Sequence, residues 1–95
     1  MDTEQRREER MVVARPVQLD RGIGVTSDVS ASGVFFETDV DFVAGCKINF
    51  SIELDGPQRT KLMLRCQGEI VRVERRDGKV GVAAKFVASQ LESVD

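Results

Sequence analysis

Lys47-Ile48-Asn49-Phe50-Ser51-Ile52-Glu53-Leu54 alternates without a fault, polar on one side and apolar on the other. A pleated strand sends successive side chains to opposite faces, so a period of two is what a half-buried strand needs and what a helix cannot use. Helical spacing of apolar residues is hard to find elsewhere in the chain, whereas alternation recurs. The chain therefore reads as all-β.

Towards the C-terminus, Asp55-Gly56-Pro57 turns the chain, and Leu62, Leu64 and Cys66 then share one phase while Val71 and Val73 share the other. One long strand with a register change near Gly68 accounts for that switch, and a bulge of this kind bends a sheet towards closure. Arg75-Arg76-Asp77-Gly78 makes a hairpin turn into residues 79–86, where Val80, Val82, Ala84 and Phe86 lie in one phase. Residues 89–95 leave room for at most a short terminal helix.

Towards the N-terminus, Gly33 to Thr38 reads as a strand containing Phe35 and Phe36, preceded by a short one over residues 23–26. Asp28-Val29-Ser30-Ala31-Ser32-Gly33, a run of turn formers, reads as the loop between them. Beyond the turn at Asp20-Arg21-Gly22, residues 11–19 form the first strand, with Met11, Val13, Val17 and Leu19 in phase. Pro16 lacks a ladder donor and implies an edge or a bulge there. Six short strands joined by tight turns imply a small antiparallel β-barrel, which removes its own edges by closing.

A chain of 95 residues supports one modest core and no second domain. The division is a flexible N-terminal arm over residues 1–10, a barrel over 11–88 and a short tail over 89–95. In the arm Met1 is the only apolar residue, too little to offset the entropy of ordering it.

The formal net charge of −2 speaks against a protein that lives on nucleic acid, since such domains carry a basic excess that displaces counterions from phosphates. A single-stranded nucleic-acid barrel would also want aromatic platforms, and there is no Tyr or Trp. The N-terminus lacks the apolar stretch of a signal peptide and no apolar run is long enough to insert in a bilayer, so the expected location is cytoplasmic. Cys46 and Cys66 stand apart, with no histidine in the chain to complete a zinc site or a Cys-His pair. The lack of histidine also removes the usual general base, and the chain is read as no enzyme.

Two polar motifs sit where a core has no use for them. Arg6-Arg7-Glu8-Glu9-Arg10 is an Arg-x-x-x-Arg placed just before the first strand, and Asp28-Val29-Ser30-Ala31-Ser32-Gly33 is an Asp-x-Ser-x-x-Gly. Either alone is weak. Together, in this order and on this framework, they resemble the signature of the PilZ family, and the segments over residues 68–73 and 78–86 look like that family's last two strands.

The resemblance implies a six-stranded barrel that receives cyclic di-GMP, with Arg6, Arg10, Asp28, Ser30 and Gly33 at the ligand. Arg7, one residue over and equal in charge and reach, stands as an alternate for Arg6. The chemistry suits a guanine dinucleotide independently. Arginine's planar fork matches phosphate oxygens and the O6/N7 edge of guanine. A carboxylate at Asp28 would accept from the N1–H and amino group on the opposite edge. Ser30 offers a short hydroxyl, and Gly33 would permit positive φ and a close approach to ligand. Arg72, Arg75 and Arg76 read first as solvated hairpin arginines and second as an extended basic rim; the five phenylalanines read as core.

The function expected from the resemblance is that of a cyclic di-GMP receptor or adaptor, its arm ordering on the ligand and its signal passing to an unidentified downstream protein. Such receptors govern motility, adhesion, exopolysaccharide production or virulence. The alternative is a PilZ-like protein-interaction module that no longer needs nucleotide.

Overall fold

The computed structural model describes residues 9–94. Six antiparallel strands, β1 (Pro16–Leu19), β2 (Gly22–Val29), β3 (Gly33–Thr38), β4 (Lys47–Asp55), β5 (Lys61–Arg76) and β6 (Lys79–Ser93), close into a barrel in the order β1-β2-β3-β6-β5-β4. A single 3-10 turn at Pro57–Arg59 joins β4 to β5.

The alternation in β4 is realised residue by residue: Ile48, Phe50 and Ile52 are buried, and their neighbours Lys47 and Asn49 are exposed. With Val17, Val34, Phe36, Cys66, Ile70, Val80, Val82 and Ala84 they form the core. Phe36 is fully buried, 5.9 Å from the Phe50 ring and 6.4 Å edge-on from that of Phe42. Burial pushes the Cys66 thiol up to about 11, while Cys46 is exposed. The hairpin expected at residues 75–78 closes through Asp77 and Gly78, both at positive φ, the requirement of a two-residue turn matched to strand twist.

Three expectations need correction. The first strand begins at Pro16 rather than at residue 11, because Pro16 has no N–H to extend a ladder; Met11 makes only an isolated bridge to Val29. The C-terminal stretch is no helix. Residues as far as Ser93 continue β6, paired with β5 through Leu64↔Leu91 and Leu62↔Ser93, so the sheet runs past residue 88. Ladder bonds supplied by β5 outweigh any local preference of so polar a segment.

The third concerns the phase switch in β5, which takes two bulges. One lies at Val87 of β6, skipped between the pairs Gln67↔Ala88 and Gly68↔Phe86; the other lies at Val71, skipped between Ile70↔Ala84 and Arg72↔Ala83. Both bulged valines are exposed. It is the bulge at Val71 that turns Val73 inward and Arg72 outward.

Candidate functional site

A further bulge shapes β2. Thr26 pairs with Phe36 and Asp28 with Phe35, so Ser27 is the extra residue. Thr26 and Phe36 are buried, and without the bulge Asp28 would follow Thr26 into the core. The bulge instead puts Asp28 beside Phe35 on the outer face and returns Val29 to the apolar side, where it packs against the core. Asp28 thus belongs to a strand, not to the loop expected from its turn-forming neighbours.

Buried Thr26 also fastens the chain ahead of β1. Its hydroxyl donates to the Val13 carbonyl and accepts from the Arg15 N–H at 2.8 Å, while its own N–H donates to the Arg15 carbonyl at 2.9 Å. Further back, Met11 and Val29 exchange both backbone hydrogen bonds, at 2.8 and 2.9 Å. Those anchors bring Arg10 alongside β2, where its guanidinium donates to the Asp28 carboxylate at 2.5 Å. Arg10 is 64% exposed and Asp28 25%. Residues from the two motifs, 18 positions apart, therefore meet. Arg6 and Arg7 lie outside the described residues.

Ser30 to Gly33 make the tight turn after β2. The Ser30 N–H donates to the Gly33 carbonyl at 2.9 Å, and its hydroxyl reaches the same oxygen at 3.3 Å. The Ser32 carbonyl accepts from Phe86 N–H at 2.8 Å, tying the turn to β6. Gly33 does not adopt positive φ. Its lack of a side chain serves the barrel: a Cβ there would stand 2.5 Å from the Ala84 carbonyl oxygen across the seam with β6. A need for glycine that looked like ligand clearance is met by strand packing.

The other arginines divide. Arg75 donates to the Asp41 carboxylate and the Phe42 carbonyl, and Arg76 to Glu74, so both are engaged near the hairpin end. Arg15 pairs with Asp55, and that hydrogen bond holds the Asp55 carboxyl below its ordinary value. Arg72 is different: its guanidinium sits 5.7 Å from the centroid of the Phe35 ring. Phe35 is half-buried on the outer face, a correction to its reading as core. Two successive phenylalanines in a strand must point to opposite faces, which was the available signal that one of the pair lay outside.

A cavity of about 510 Å³ opens elsewhere, lined by Gln18, Asn49, Ser51, Arg65, Gln67 and Gln90 among others, and no motif residue borders it. Convergent charged donors and acceptors, rather than hollow volume, mark the Arg10–Asp28 face as the candidate site.

The family model described as PilZ domain matches residues 4–94 of this chain. No curated protein matches it. Among solved structures, that of the Bacillus subtilis inhibitor of motility, MotI/DgrA, is similar, with a TM-score of 0.76 at 14% sequence identity. The likeness covers 90% of this chain and 44% of that one, and at such identity it is a likeness of fold.

Proposed function

Given that this chain belongs to the PilZ domain family, we propose that it is a cyclic di-GMP receptor that acts on a protein partner. The observation that carries this reading is the Arg10–Asp28 contact, which joins the two motifs on one outer face of the barrel. A carboxylate accepts about four hydrogen bonds, so the contact with Arg10 leaves Asp28 capacity for the two donors of a guanine edge. Arg10, largely exposed, keeps donors for O6 and N7 or for phosphate.

Adenine presents no matching donor pair to a carboxylate, so the site should discriminate. Calorimetry is expected to show binding of cyclic di-GMP and little of cyclic di-AMP. Equal affinity for the two would overturn the base-reading role of Asp28, and no binding of either would overturn the receptor reading.

The signal in this proposal is the arm. Once phosphate and guanine engage Arg6 or Arg7 together with Arg10, charge-assisted hydrogen bonds order residues 4–10 against the barrel and create a surface for the partner. Amide relaxation of residues 4–10 is expected to change from nanosecond mobility to the rigidity of the strands at saturating ligand. An arm equally mobile with ligand, or rigid without it, would rule this switch out.

A further inference from the structure

The outer face carries a row that runs across four strands. Asp28 of β2 pairs with Phe35 of β3, Phe35 with Ala83 of β6, and Ala83 with Arg72 of β5. Both charged ends of this row owe their outward direction to a bulge, at Ser27 for Asp28 and at Val71 for Arg72. Without them each would follow its buried neighbour two residues earlier, Thr26 or Ile70, into the core. Two separate irregularities thus deliver an acid and a base to one line on the surface.

What lies between the two ends is shaped for a flat group. Ala83 is small enough to let the Arg72 guanidinium reach the Phe35 ring, 5.7 Å from its centroid. Gly81 lets the ring lie over β6, since a Cβ at Gly81 would come within 2.7 Å of the ring tip. Beyond the ring a hollow of about 300 Å³ opens, lined by Glu37, Glu74, Arg76, Lys79 and Gly81. Three interstrand spacings separate Asp28 from Arg72, about 14 Å, which suits a ligand with two planar ends rather than one.

We propose that Phe35 and Arg72 form a stacking platform for the second purine of a cyclic dinucleotide whose first purine is read at its edge by Asp28 and Arg10. The proposal rests on the receptor reading above. Aromatic rings and guanidinium planes both stack on bases whatever the base, so edge reading at one end and face stacking at the other divide the work between specificity and affinity. The Arg72–Glu74 hydrogen bond of 2.8 Å steadies the guanidinium without covering its plane.

The test uses Phe35→Leu, which keeps an apolar cover over Gly81 and removes the π face, and Arg72→Gln, an exposed change that leaves the fold untouched. Each is titrated with cyclic di-GMP and with a cyclic dinucleotide carrying 2-aminopurine in place of one guanine, whose fluorescence is quenched by stacking. Wild-type protein is expected to bind both probes and to quench the second. Each variant is expected to bind cyclic di-GMP about tenfold more weakly and to lose most of the quenching. Wild-type binding with unchanged affinity and quenching in both variants would overturn the platform and leave the receptor standing. Failure of the wild-type protein to bind either probe would overturn both together.

Discussion

Replacing Arg6, Arg7 and Arg10 together with alanine is expected to abolish cyclic di-GMP binding while leaving the barrel's melting transition nearly where it was. A bidentate arginine contact to guanine or phosphate is worth about 1–3 kcal/mol, and the triple change also removes the possibility that Arg7 takes over from Arg6. The fold loses little by it. Arg10–Asp28 is a surface pair with one partner well exposed, a class that contributes about 0–1 kcal/mol. Lysine at position 10 should restore only part of the affinity, because an ammonium keeps the charge and loses the planar fork. Asp28→Ala should weaken binding of cyclic di-GMP and narrow its advantage over cyclic di-AMP, since the carboxylate is the group assigned to the guanine edge. Calorimetry beside thermal melts separates these outcomes: a triple variant that binds normally refutes the site, and binding lost along with the melting transition says nothing for it.

The second large effect is on stability and falls far from the ligand. Phe36→Ala should cost about 3–5 kcal/mol, the usual range for emptying a fully buried aromatic position. Phe36 has no exposed surface and sits between the rings of Phe42 and Phe50, so the cavity is walled by side chains already held in place by β4 and by each other. For a domain of this length total stability is on the order of 5–14 kcal/mol, so the change removes a large fraction of it. Phe35→Leu, the next residue along, should cost far less, because its ring lies on the outer face. Urea denaturation of the two variants compares them directly. Equal losses for the two would mean that the inside and outside of β3 are wrongly assigned.

The strands themselves were largely legible in the sequence because their causes are local. Alternation over residues 47–54 needs only that one face be dry, and Asp77-Gly78 needs only that two successive residues accept positive φ. The pairing of an Arg-x-x-x-Arg with an Asp-x-Ser-x-x-Gly likewise identified a family without any knowledge of where the side chains end up. What the sequence could not state is what neighbouring strands impose. Residues 89–93 carry a polar, short segment with no strand pattern of its own, and they are extended because β5 offers a ladder to pair with. Asp28 lies among turn formers, yet it is on a strand and faces outward, because the register between β2 and β3 slips by one residue at Ser27. Arg72 looked like one more hairpin arginine until a second slip, at Val71, set it over Phe35. Gly33 owes its missing side chain to the Ala84 carbonyl on a strand some fifty residues later. A one-residue slip reverses every side chain beyond it, and where the slip falls depends on partners distant in sequence. Composition and period determined that this chain is a small barrel with two ligand motifs, whereas closure of the barrel alone decided which of its charged residues share a face.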